Sequence, residues 1–182
     1  MATTIEYPME LDIVNPTNGN AFWVNVNGPF WYGGRYRFNR FADPSMPSGE
    51  ALMTFKTNIP RNLASPANLD IVFHHMAASG SEGAGAAALI HVSASRLGSG
   101  DTPGAPTVIV PNKLIGVDVS GDHNITRLAG LAGVSNFDAL LPVVAGEYLE
   151  VIVRREPLTI SGDTILGGWD MVLPPLLRID VQ

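Results

Sequence analysis

The hydrophobic and polar positions fall into their clearest pattern near the C-terminus. Leu149, Val151 and Val153 alternate with Glu150, Ile152 and Arg154, and Leu177, Ile179 and Val181 alternate with Arg178 and Asp180. Side chains of an extended strand point to opposite faces in turn, so each run predicts a strand with one apolar and one partly polar face. The second run begins at Trp169 and contains Pro174-Pro175. Proline has no N–H to give to a ladder, so this strand is interrupted there or lies at a sheet edge. The polar residues between the two runs predict a hairpin, whose apolar face requires a second sheet to cover it.

Upstream, residues 50–57, 69–76, 87–97, 107–110, 114–119 and 124–131 also read as strands. The stretch 78–85, Ala-Ser-Gly-Ser-Glu-Gly-Ala-Gly, is a flexible loop by composition, and the strands it joins are expected to pair antiparallel. Residues 136–142 predict one helical turn with Asn136 as its N-cap. Roughly seven or eight strands of this length, with almost no helix, predict an all-β antiparallel sandwich or jelly roll.

Two stretches carry a family resemblance. The first is Val144-Ala-Gly-Glu-Tyr-Leu-Glu-Val-Ile-Val-Arg-Arg-Glu156, followed by Ser161-Gly162-Asp163-Thr164 and Arg178-Ile179-Asp180-Val181. It resembles the closing hairpin of the β-sandwich (jelly-roll) virion proteins of tailed phages, a group with decoration and auxiliary head or tail proteins. The second runs from Asn58-Ile59-Pro60 through Leu69–His74 to Leu89-Ile90-His91-Val92, and is similar to the central strands of that group. The resemblance spans roughly residues 48–181 and implies an antiparallel sandwich of jelly-roll type. It further implies a structural virion protein without catalytic residues, a capsid decoration or cement protein assembling as a homotrimer on the head shell. Its partners would be other copies of itself and the major capsid protein or another virion protein. It would be made in the host cytoplasm and end in the virion.

Composition narrows these expectations. A chain of 182 residues that is 46% hydrophobic can fold on one core without staples. Without cysteine it has neither disulfides nor thiolate metal sites. The net charge of -6 and the lack of a basic stripe argue against a nucleic-acid partner. No apolar run is long enough to span a bilayer as a helix, so no membrane partner is expected. Met1–Glu6 lacks the basic and apolar regions of a secretion signal.

Residues 1–47 differ in texture and match nothing in the resemblance. They hold nine of the fourteen aromatic residues, broken by Asn18-Gly19 and Asn27-Gly28 turns, with short strands at 21–26 and 35–41. They are expected to form an extended N-terminal arm ahead of a sandwich domain at 48–182. Within the arm, Trp23, Phe30, Trp31, Tyr32, Arg35, Tyr36, Arg37, Phe38, Arg40 and Phe41 form an aromatic–arginine cluster. Trp, Tyr and Arg supply most interface hot spots, so the cluster is read as a protein–protein interface. Two alternatives stand beside it. The aromatics close one end of the core, or Trp23 or Trp31 is a stacking platform for surface glycans in a lectin-like jelly-roll module.

The remaining chemistry is sparse. His74 and His75 are neighbours on a strand and point to opposite faces, with one of them placed to meet His91 across a hairpin. Two imidazoles without a third ligand make a poor zinc site, so these histidines and His123 read as structural or interfacial. Asp118, Asp122, Asp163 and Asp170 lie near loops, where a glycosidase pair is one reading and turn aspartates the more ordinary one. Neither a Gly-x-Ser-x-Gly elbow nor a phosphate loop occurs. The sequence therefore nominates no catalytic, cofactor-binding or metal-binding residue.

Overall fold

A computed structural model describes residues 1–14, 21–28, 31–38, 51–64, 69–77, 85–98, 105–116, 123–128, 141–155, 162–165 and 168–182. Of residues 13, 14, 21–28, 31–33, 51, 111 and 112 it describes the backbone alone. Among the described residues there are twelve strands and no helix. In chain order they are β1 (Thr3–Pro8), β2 (Glu10–Val14), β3 (Ala21–Gly28), β4 (Trp31–Phe38), β5 (Ala51–Asn58), β6 (Leu69–Ala77), β7 (Ala87–Leu97), β8 (Thr107–Gly116), β9 (Asn124–Leu128), β10 (Tyr148–Arg155), β11 (Trp169–Met171) and β12 (Leu176–Val181). They build two packed antiparallel sheets. One has seven strands in the order β1-β12-β6-β11-β4-β3, with β9 along the other edge of β6. The other has five, β2-β5-β10-β7-β8.

The pairings nest. β7 pairs with β8, β6 with β9 outside them, β5 with β10 outside those, and β1 with β12 outermost, all antiparallel. That is the order in which a long hairpin pairs its strands. Two further pairings, β12 with β6 and β10 with β7, roll the hairpin into two layers, so that successive nested pairs fall in alternate sheets.

Two expectations are corrected here. The C-terminal runs do not form a hairpin, because β10 lies in the five-stranded sheet and β12 in the seven-stranded one. β6 and β7 likewise fall in different sheets rather than pairing across residues 78–85. Alternation fixes which side of a strand is apolar and is silent about its neighbour, and two strands facing each other across a core carry the same pattern as a hairpin. The run at 107–110 and the described part of the run at 114–119 are one strand, β8, at the edge of its sheet, where Pro111 is tolerated. Pro174-Pro175 does interrupt the last run. β11 continues the pairing of β6 beyond β12, and the Pro175 carbonyl accepts from Met9 N–H at 2.9 Å. The helical turn expected from Asn136 falls mostly outside the described residues.

The core fills the space between the layers. Leu149, Val151 and Val153 of β10 are fully buried, as the alternation predicts, and so are Leu177 and Ile179 of β12. Trp169 anchors one end, with the Phe38 and Phe73 rings 5.5 and 5.9 Å from it by centroid. Tyr36 of β4 meets Phe55 of β5 edge-on at 5.5 Å, one aromatic from each sheet. A buried ion pair joins the sheets as well. Arg155, in phase with Val151 and Val153, donates from Nε to Asp163 Oδ2 at 2.8 Å and from Nη2 to Oδ1 at 2.9 Å. The same guanidinium donates to the carbonyls of Phe38 and Ile165, while Asp163 accepts from Leu89 N–H and Ile165 N–H. A charge pair survives burial when its hydrogen-bonding capacity is met in this way.

Where an extended arm was expected, the described part of residues 1–38 supplies four strands to both sheets. β1, β2 and β4 each pair with a strand from beyond residue 50, and β3 pairs with β4. The chain crosses from one sheet to the other at Met9, which is buried.

Candidate functional site

The aromatic–arginine cluster lies largely on β4. Alternation along that strand sends Tyr36 and Phe38 inward, where both are buried, and Arg35 and Arg37 to the opposite face. Arg37 stands directly across from Asp170 of β11, and its Nε and Nη2 donate to the two carboxylate oxygens, each at 2.8 Å. Arg35 Nη1 lies 3.8 Å from the same carboxylate, which is fully buried. The Asp170 hydrogen bonds raise the Arg37 pKa, against the opposing effect of burial. These four residues thus hold β4 to β11 and fill the core. Trp23, Trp31 and Tyr32 have backbone positions on the β3–β4 hairpin, opposite Tyr36, Gly28 and Asn27. Phe30, Arg40 and Phe41 lie outside the described residues.

The histidines divide as adjacency on a strand requires. His75 is buried and takes a hydrogen bond on Nδ1 from Trp169 Nε1 at 3.2 Å, while its Nε2 lies 2.8 Å from Thr126 Oγ1. An indole N–H only donates, so Nδ1 is the bare nitrogen and Nε2–H donates to the threonine. Burial, followed by the repulsion of His123 and His74, lowers the His75 pKa to about 4. His74 points outward and stacks on His123, Nδ1 to Nε2 at 3.0 Å. His91 pairs with Arg154 in the other sheet, so neither His74 nor His75 meets it. Among the described residues no three His, Asp or Glu side chains are grouped as metal ligands.

On the outer face of the seven-stranded sheet, Arg127 pairs with Asp70, Arg178 with Glu6, and Thr4 with Asp180. This charge ladder bounds a cleft of about 110 Å³, and the buried Asp70 Oδ1 has no protein partner there. The cleft has room for a few waters at most, and the ladder reads as a set of cross-strand pairs.

A larger concavity than this cleft lies at the rim where β1 passes over to β2. It measures about 690 Å³ and is lined by Tyr7, Pro8, Glu10, Asp12, Lys56, Thr57, Asn58, Leu97, Tyr148, Leu149 and Glu150. Register builds its floor. Glu10, Lys56, Glu150 and Ser95 stand opposite one another across β2, β5, β10 and β7, and Asn58, Tyr148 and Leu97 form the next row. A register shift in β2 leaves Asp12 unpaired in the ladder, and its carboxylate sits 2.5 Å from Lys56 Nζ. That contact raises the Lys56 pKa. Tyr7 reaches across from the other sheet, and its hydroxyl donates to the Asn58 carbonyl at 2.8 Å. Burial pushes the Tyr7 phenol up to about 12, so it remains a neutral donor. Tyr148 projects into solvent with 52% of its surface exposed. None of the residues that floor this groove belongs to the aromatic–arginine cluster. A period-2 alternation of Ile5, Tyr7, Met9 and Leu11 was the one sequence signal that this stretch belongs in the sheets.

Comparison of the sequence with protein-family models and with curated proteins found no match.

Proposed function

We propose that this chain is a structural subunit of a tailed-phage virion, a jelly-roll decoration or cement protein that assembles as a trimer on the head shell. The observation carrying this reading is the nested strand order. Four concentric antiparallel pairs, distributed alternately between two sheets, are what a jelly roll requires. The step from fold to role rests on the resemblance of roughly residues 48–181 to that virion group, which is a fold-level argument. The buried Arg155–Asp163 and Arg37–Asp170 pairs support it in part, since they serve the packing of strands and leave those charges unavailable for chemistry. The test is co-sedimentation of the purified chain with particles lacking their decoration protein, with light scattering to give the mass in solution. Saturable binding by a trimeric species is the expected result. A monomer that never pellets with particles of any candidate host phage overturns the reading.

A further inference from the structure

We propose that the rim groove between β1, β2, β5 and β10 binds a neutral oligosaccharide. This inference stands on the groove alone and holds whether or not the chain is a virion subunit.

Charge restricts the ligand first. The groove presents three carboxylates, on Glu10, Asp12 and Glu150, against one ammonium, on Lys56. A surface of that balance repels phosphate, sulfate, sialic acid and nucleic acid. Its hydrogen-bonding groups then favour hydroxyls. The two glutamates flank Lys56 in one cross-strand row, so acceptors and a donor rise from adjacent strands, whose backbones are spaced about 4.8 Å apart. Vicinal hydroxyls, each both donor and acceptor, suit such an alternation. Lys56 is held in place by Asp12, which fixes one donor of the set before any ligand arrives.

The aromatic walls supply the remaining requirement. The Tyr7 ring is oriented by its hydroxyl bond to Asn58, and Tyr148 stands half exposed in the row beside Glu150. The face of a pyranose ring carries C–H groups and packs on such rings, while its equatorial hydroxyls reach the polar row. The bland alternative is a lone tyrosine at a strand end, and single exposed aromatics are common. Here the tyrosine instead borders a concavity of about 690 Å³, within the size range of ligand sites. That volume is roughly twenty times a water's share of the liquid, enough for a short oligosaccharide rather than an ion.

Binding rather than hydrolysis is the geometry's preference. A glycosidase needs open space for water or sugar between its carboxylates, and Lys56 occupies the register position between Glu10 and Glu150.

The test uses the full chain on a printed glycan array, followed by calorimetric titration with the best neutral oligosaccharide, and with poly-lysine and polygalacturonate as charged probes. Saturable binding of a neutral oligosaccharide is expected. It should weaken roughly tenfold or more in Tyr148→Ala and in Glu150→Gln, and be unchanged in Leu173→Ala, an exposed site outside the groove. Tyr148 and Glu150 lie on the outer face, so both variants should keep the wild-type circular dichroism. Each of four results overturns the proposal: no neutral glycan bound, poly-lysine bound alone, polygalacturonate preferred, or binding indifferent to both groove variants. Shortening of the oligosaccharide during incubation, read by mass spectrometry, overturns the assignment of binding without hydrolysis.

Discussion

Lowering the pH through the range where histidine ordinarily charges should destabilise this protein through His75. The imidazole is enclosed by Trp169 and Thr126, with Nδ1 already accepting from the indole and no room for a second proton without losing that bond. Its folded pKa of about 4 lies below the 6.5 of the unfolded chain. Between those values the unfolded chain takes up a proton that the folded chain refuses, so stability is full above about pH 6.5 and falls as pH drops toward 4. The slope reaches about 1.4 kcal/mol per pH unit, and the accumulated loss is about 2 kcal/mol at pH 5. His74 works in the same direction, since burial and His123 lower its pKa too. The variant His75→Gln isolates the buried group, because a glutamine carbonyl can accept from Trp169 and its amide can donate to Thr126 without titrating. Urea unfolding of both proteins at pH 8, 7, 6 and 5 gives the difference in stability at each pH, and groups common to both cancel. The wild type should lose about 2 kcal/mol more than His75→Gln between pH 8 and pH 5. Parallel stability profiles for the two proteins would refute the argument and place a protonated His75 in the folded state.

Two further predictions concern the frame. Arg155→Met strands the buried Asp163 carboxylate and should cost about 3–5 kcal/mol by urea denaturation, whereas Arg155→Met with Asp163→Leu should recover much of it; equal losses in both would mean that the charge is not the cause. A chain beginning at Pro44 lacks β1 to β4 and should show no cooperative thermal transition by circular dichroism, and a sharp transition in that truncated chain would return residues 1–43 to the role of a dispensable arm.

The faces of the strands were legible in the sequence, and their partners were not. β7 spans residues 87–97 as the pattern predicts, and the inward phase of Leu149, Val151 and Val153 is correct. Both are local properties of alternation. Sheet membership is decided by contacts between distant segments, so β10 and β12 read as a hairpin although the core lies between them. β1 and β2 were not among the expected strands, which in residues 1–47 were confined to 21–26 and 35–41 between Asn-Gly turns, although Ile5, Tyr7, Met9 and Leu11 keep period 2 throughout. Arg155 shares the parity of Val153, so its inward position was implied by phase and obscured by the rule that charges face water. Its partner Asp163 reads from the sequence as a turn aspartate or as half of a glycosidase pair, and neither reading places it against an arginine. The rim groove gathers residues from four separate stretches, 7–12, 56–58, 97 and 148–150, and no spacing within any one of them announces it.

The way the chain uses its few charges bears on where a partner can meet it. Only 15% of its residues are charged, and nine of the eleven basic residues are arginine. A guanidinium presents a planar fork that matches a carboxylate in two bonds and is weakly hydrated, which makes arginine the cation suited to burial between strands. Arg155 and Arg37 are used in that way, each gripping a buried aspartate with two bonds, and Arg127 reaches the buried Asp70. The aromatic–arginine texture of residues 23–41, which suggests a hot spot when read along the chain, is in its described part the chemistry of strand attachment. The groove residues have a different character. Lys56 carries a compact, strongly hydrated charge at an exposed position, with Glu10 and Glu150 on either side of it. A ligand or neighbouring subunit can exchange water with such groups at little cost, whereas Arg37 and Phe38 would first have to leave partners they already have inside the chain. Contact with other molecules is therefore better served by the rim groove, and by the edge strand β8 with its exposed Val108 and Leu114, than by the described face of β4.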